Sequence, residues 1–191
     1  LSKITKIFKE LLARLTKDEF AARALAYAEE YDQDLFNLIN RDVDYFKSII
    51  NIERENTKKP RKDISKYSEV KEEFSYAIDE FFANEKFSKL DTDKEYDVEL
   101  VLDYVNNYLD VDCTNEEWFN KVKEFAINNG YAGSPKDYKK DPESFKGHVG
   151  DICEAIRVMV TGRRQSPDLF SIMKILGKDR ILNRVELYKN R

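Results

Sequence analysis

Histidine is almost missing from this 191-residue sequence, His148 being the single one. Cysteine is scarce too: Cys113 and Cys153 stand far apart, with no CxxC pair and no Cys/His cluster. No zinc-type ligand set and no His-based triad can be assembled from this inventory. Six glycines and four prolines are too few for the many tight turns of a sandwich or barrel. Neither common phosphate loop, GxGxxG or GxxxxGKS, is present. No apolar run is long enough to cross a bilayer, and Leu1–Lys17 lacks the layout of a signal peptide. The carboxylates lie among Lys and Arg on helical faces, the pattern of a solvated surface. These absences predict no catalytic residue, no metal and no cofactor in the chain, no membrane partner, and a reduced, cytoplasmic setting. The first residue is Leu1 rather than Met, inside an amphipathic pattern, which reads as a fragment.

What the chain does have is hydrophobic content of 41%, with 11 Tyr and 12 Phe, enough for packed cores. The apolar residues recur at helical spacing. Ile4, Ile7, Phe8, Leu11, Leu12 and Leu15 form a first stripe. Phe20, Ala24, Tyr27 and Tyr31 continue after a break at Thr16. Leu35, Leu38, Ile39, Phe46, Ile49 and Ile50 make a third stripe, and Val70, Phe74, Ile78, Phe81 and Phe82 a fourth. Between these last two, Asn56–Lys62 is polar, basic and interrupted by Pro60, a loop. Polar residues 84–94 suggest a boundary, placed at 88/89, between a first subdomain (1–88) and a second (89–191). In the second, Thr114 and Glu117 have capping-box spacing, and Asn129-Gly130 is a helix stop. Further stripes run through Val149–Val160, Leu169–Leu176 and Ile181–Tyr188. No alternation of strand period persists, so the fold class is all-α.

Charge is unevenly spread. Residues 134–191 carry 13 Lys and Arg against 8 Asp and Glu, whereas residues 1–133 carry 20 against 29. An acidic body with a basic segment suits a protein that meets a polyanion with one face; ordinary compositional scatter produces the same imbalance.

One stretch, residues 157–184, is more specific. Arg157 and Thr161 lie on the face of a helix next to its buried side. Gly162 is placed to end that helix in the left-handed conformation. Arg163-Arg164-Gln165 follows as an exposed connector, and Ser166-Pro167 reads as N-cap and first position of the next helix, which Gly177 ends. A guanidinium, a helix N-terminus, a hydroxyl and apolar Leu169 would then share one corner, able to hold a splayed RNA base. A plain helical hairpin with surface arginines fits the same residues.

The run Arg157-Val158-Met159-Val160-Thr161-Gly162, then Ser166-Pro167-Asp168-Leu169, then Leu176-Gly177-Lys178 and Arg180, resembles the C-terminal signature of glutamyl-tRNA synthetases. The likeness is sharp over the last quarter of the chain and rests on helical character and length before residue 133. It implies two packed helical subdomains forming the helical cage that binds an anticodon. It implies that Arg157, Ser166 and Leu169 contact anticodon bases, with Arg61 in the Pro60-Arg61 loop as the counterpart of the arginine that reads the third base. Arg163, Arg164 and Lys178 flank the corner and are expected on phosphates. The implied partner is tRNA(Glu), with tRNA(Gln) open, and a monomer is expected. ATP and glutamate would be bound by a catalytic domain outside this chain: with one His, and with Met159 and Met173 inside apolar stripes, neither a HIGH-like nor a KMSKS-like motif is present. Two alternatives stand beside this reading. One is a helical protein–protein interaction module without RNA binding. The other is a glutamyl-queuosine-type relative, which the presence of this region argues against.

Overall fold

The computed structural model describes residues 2–88 and 90–191. Leu1 and Lys89 lie outside the described residues, and with Lys89 one side of the 88/89 boundary read from the sequence. The chain gathers into two compact units, Leu1–Phe81 and Phe82–Arg191. All secondary structure among the described residues is helical, as the periodicity predicts. A single isolated bridge, Ala132 to His148, is the nearest thing to a strand.

The first unit opens with α1 (Lys3–Ala13), α2 (Lys17–Tyr31), α3 (Gln33–Arg41) and α4 (Val43–Ile50). Side-chain caps define their ends. Ser2 Oγ accepts from the Thr5 amide, and Thr16 and Glu19 form a reciprocal capping box. Asp32 both ends α2, donating its N–H to Ala28 O, and starts α3, accepting from the Leu35 amide. Asp42 repeats the device at the start of α4, accepting from the Tyr45 amide at 2.9 Å. The stripe from Leu35 to Ile50 is therefore two helices, because Asp42 offers its own carboxylate to the backbone in place of a helical turn.

The fourth stripe is likewise broken. It becomes α5 (Val70–Glu73) and α6 (Asp79–Glu85), with short 3-10 turns at Tyr67–Glu69 and Ser75–Ala77. Ile78 is extended between them, yet Val70, Phe74, Ile78, Phe81 and Phe82 are all buried as their spacing predicts. The core gathers around Phe20, whose ring meets Tyr67 and Phe74 edge-on at 5.7 and 6.4 Å. Arg54 is buried there too, its guanidinium 4.5 Å over the Phe20 ring and donating to Leu12 O and Ile50 O. The first stripe is a helix but not core. Ile4, Ile7, Phe8 and Leu11 of α1 are 49–66% exposed, while Leu12 and Ala13 are buried.

The second unit contains α7 (Val98–Asn107), α8 (Asn115–Asn128), α9 (Pro135–Lys140), α10 (Val149–Thr161), α11 (Leu169–Leu176) and α12 (Lys178–Lys189). The capping box at α8 forms as read, with Glu117 N–H donating to Thr114 Oγ1 and Thr114 N–H to Glu117 Oε2. α10 is the central helix, packed on α7, α8 and α12. Trp118 of α8 stacks on Phe170 of α11 at 5.5 Å and donates its indole N–H to the Tyr104 hydroxyl. Phe87 meets Tyr188 of α12 edge-on at 5.0 Å, and Phe82 meets Phe87 at 5.7 Å. Phe82 and Phe87 thus share the apolar core of this unit.

Candidate nucleic-acid interface

The basic segment is organised by the two ends of α10. At its start stands His148, the N-cap: its Nδ1 accepts from the Gly150 amide at 3.0 Å, and Asp151 accepts from the His148 amide at 2.8 Å. Gly150 carries no Cβ for a reason that distance makes plain. An added Cβ would stand 2.7 Å from His148 Cε1. The solitary histidine is a helix cap.

At the other end, Gly162 has φ 67° and ψ 15°, the left-handed stop expected from the sequence, and its N–H closes onto Val158 O. It also lies hard against another backbone, since a Cβ there would come within 2.4 Å of Lys86 O. Buried Thr161 ties the turn from within. Its hydroxyl donates to Arg157 O at 2.7 Å and accepts from the Arg163 amide at 3.2 Å.

Across this turn the chain comes back to Arg157. Its Nη1 donates to Ser166 Oγ, to Ser166 O at 3.5 Å and to Pro167 O at 3.1 Å. Ser166 Oγ in turn donates to Pro167 O at 2.8 Å. Among the described residues every hydrogen bond of the Arg157 side chain runs through Nη1, so Nε and Nη2 remain as a donor edge on a half-buried guanidinium. Arg157 and Ser166 meet as the corner read from the sequence requires, with one correction. Ser166 does not cap α11. Asp168 does, accepting from the Ser171 amide at 2.9 Å while Asn115 donates to both of its carboxylate oxygens at 3.0 Å. An ionised carboxylate is the stronger acceptor for a helix N-terminus, and Ser166 Oγ is already committed to Arg157 and Pro167 O.

The other residues named from the sequence are distributed as follows. Leu169 opens α11 but is only 3% exposed, part of the core and not an open wall. Arg164 is exposed, 3.7 Å from Glu154 Oε2. Arg163 is half-buried, engaged through its backbone with Thr161. Lys178, in the first turn of α12, reaches the last turn of α7, donating to Asn106 O at 2.8 Å. Arg61 belongs to the first unit. There it forms a fork with Asp63 at 2.7 to 3.1 Å and a longer contact with Glu53 at 3.4 Å. Burial opposes its charge, but the two carboxylates together hold its pKa above that of an ordinary arginine.

Three participants were not read from the sequence. Glu154, one turn before Arg157, is half-buried and accepts from the Tyr96 hydroxyl at 2.8 Å and Lys94 at 3.1 Å. Burial works to raise its pKa, yet these two partners and Arg164 outweigh it and the carboxyl stays below the ordinary value. Burial, assisted by Glu154, lifts the Tyr96 hydroxyl to about 12. Arg184 of α12 is the third: 1% exposed, it donates to Val160 O at 2.7 Å. Its place beside Ile181, Val185 and Tyr188 on the apolar side of α12 was a signal in the sequence, since spacings of three and four put all four on one face.

Residues 140–188, which include the whole corner, match the anticodon binding domain family. Over nearly all of its length the chain is similar to glutamate–tRNA ligases. It is 35% identical to that of Acetivibrio thermocellus, with 97% of this chain and 34% of the relative covered. It is 32% identical to that of Clostridium beijerinckii, covering 100% and 35%, and 34% identical to that of Sorangium cellulosum, covering 96% and 32%. The chain therefore spans about a third of the length of the curated relatives it matches. No solved structure matches it with significance.

Proposed function

We propose that this chain, which belongs to the anticodon-binding region of the glutamate–tRNA ligase family, reads the anticodon loop of tRNA(Glu) for a longer ligase that joins glutamate to that tRNA with ATP. In this reading the ATP and glutamate sites belong to protein outside the chain, and the chain itself recognises and does not catalyse. A monomeric, cytoplasmic ligase is part of the same proposal.

The observation that carries it is the Arg157 guanidinium, oriented through one nitrogen by Ser166 and Pro167 with its remaining edge unspent, inside the segment that matches the anticodon-binding family. A planar cation held this way is suited to the acceptor edge of an unstacked base, because its geometry is set before the base arrives. Ser166 orients Arg157 and shares a base pocket with Leu169, which, 3% exposed as it stands, has to be uncovered to meet a base. Arg163, Arg164 and Lys178 are placed to meet phosphates, which orient the loop without reading it. Arg61 reads the third base, by which tRNA(Glu) is told from tRNA(Gln). Its fork with Asp63 then has to open or turn to free a donor edge. The division into subdomains at 88/89 belongs to the same reading.

Fluorescence-anisotropy titration with a labelled tRNA(Glu) anticodon stem-loop tests this, against loops with each anticodon base replaced. Affinity that falls on replacing the middle or third base supports anticodon reading. Binding that ignores base identity reduces the surface to a phosphate holder, and no binding at low salt overturns the reading for the chain alone. A second reading, a protein-facing module, is favoured by one observation: the exposed apolar face of Ile4, Ile7, Phe8 and Leu11 on α1.

A further inference from the structure

Arg184 is a cation in a core. It is 1% exposed, surrounded on its own helix by Ile181, Val185 and Tyr188, and an apolar side chain of equal volume would fill the space without desolvating a charge. Two of its interactions bear on what the charge does. Nη1 donates to Val160 O at 2.7 Å, and the guanidinium lies 4.2 Å over the Phe82 ring. Val160 O is one of the four carbonyls that the end of α10 leaves without an intrahelical donor. The Val158 carbonyl is taken by Gly162 N–H, and the Val160 carbonyl is taken by Arg184.

Phe82 closes the arrangement. Its carbonyl accepts from the Lys86 amide at 2.6 Å, and the Lys86 carbonyl is the atom against which Gly162 is seated. Phe82 Cε2 would lie 3.5 Å from a Cβ on Gly162. One bracket thus holds the last turn of α10: Arg184 grips Val160, rests on Phe82, and the turn that Phe82 begins backs Gly162. Four residues beyond Gly162 is Ser166, which orients Arg157.

We infer that Arg184 is a positioning residue for base reading, fixing the end of α10 so that the Gly162–Pro167 turn presents Ser166 to Arg157 at one distance. The inference rests on the proposed anticodon reading. It differs from a plain stability role in what it predicts. Loosening the turn blurs the geometry that distinguishes bases, while removing none of the lysines and arginines that hold phosphates.

The test uses the 191-residue chain and the labelled tRNA(Glu) anticodon stem-loop. The readout is the ratio of affinities for the native loop and for a loop with one anticodon base replaced, taken well below each variant's melting temperature. Arg184→Met keeps the volume and removes the donor. It is expected to lower the discrimination ratio about ten-fold, as loss of one oriented base contact does, with low-salt affinity for the mismatched loop unchanged. Arg184→Lys keeps a donor for Val160 O and is expected to recover part of the ratio. Phe82→Leu removes the ring under the guanidinium and is expected to behave like the methionine variant, a second route if Arg184→Met does not fold. A folded Arg184→Met or Phe82→Leu protein that discriminates as the unsubstituted chain does overturns the inference while anticodon reading stands. An unsubstituted chain that binds but does not discriminate overturns the reading itself, and the positioning role with it.

Discussion

Arg157 and Ser166, nine residues apart in sequence, are joined by the Arg157 Nη1 donor to both the hydroxyl and the carbonyl oxygen of Ser166. The link crosses the Gly162 turn, so a side chain on α10 is oriented by the backbone that follows the helix. Orientation of this kind is what a base-reading guanidinium requires, because it removes the entropy of searching for the bound rotamer.

Replacing Arg157 with Ala should weaken binding of the tRNA(Glu) anticodon stem-loop about ten-fold or more, since a hydrogen bond to a charged group contributes about 1.5–3 kcal/mol. Arg157→Lys should recover little, because an ammonium cannot keep the fork and present a planar edge together. Anisotropy titrations would measure both. Wild-type affinity in Arg157→Ala removes the residue from the site.

Arg163 and Arg164 should separate from Arg157 in kind. Arg163→Ala is expected to lower the slope of log affinity against log salt by about one, with base preference intact. Titrations at several salt concentrations give the slope directly. A changed base preference at constant slope would assign Arg163 to reading and not to phosphate holding.

The cap at the start of α10 offers a test of coupling. His148→Ala removes the acceptor for the Gly150 amide and should cost about 1 kcal/mol. Gly150→Ala drives a methyl into the imidazole and should also destabilise. In the double variant the ring is gone and Ala is the better helix former by about 1 kcal/mol, so the two losses should fall well short of adding. Urea unfolding of the four proteins measures the coupling, and simple additivity would mean that the ring and the missing Cβ do not depend on each other.

Glu154 predicts a pH dependence. Burial raises its pKa, but the Tyr96 hydroxyl, Lys94 and Arg164 hold it below the ordinary 4.5. A carboxyl depressed in the folded state stabilises the fold above its unfolded pKa, and that contribution disappears as pH falls through the folded value. Stability of the unsubstituted chain should therefore drop more steeply below about pH 4.5 than that of Glu154→Gln. Denaturant melts from neutral to acid pH compare the slopes, and parallel curves would show that the network around Glu154 contributes nothing.

Much of the second unit was legible because its local signals agree with one another. Thr114 and Glu117, Gly162 and Gly177 each have one physical use at their position, and the structure puts them to it. Where two local signals compete, reading is harder. Ser166-Pro167 and Asp168 are both credible starts for α11, and the acid prevails because Ser166 is drawn off by Arg157, a tertiary partner that spacing alone does not reveal. Asp42 splits a stripe whose apolar period continues unbroken across it. The α1 stripe has the period of a core helix and is exposed, since periodicity reports amphipathicity and not what covers the apolar side. Arg184 was hidden for the opposite reason: a charged residue on an apolar face is easily read as an interruption, although its spacing is that of its buried neighbours. Of the corner residues, Arg157 and Ser166 meet, Leu169 is buried in the core, and Arg61 lies in the first unit, where the sequence put it.

The shared joints at Asp32 and Asp42 have a consequence for how this chain can diverge. With one residue serving as both the end of one helix and the start of the next, α2, α3 and α4 have no slack between them. Inserting a single residue in α3 would turn everything after it by about 100° and carry Phe46 and Ile49 out of the core. Substitutions along the three helices are open to drift, but their lengths are not. This stretch should behave as a ruler, its helix lengths held constant while its surface chemistry changes around them.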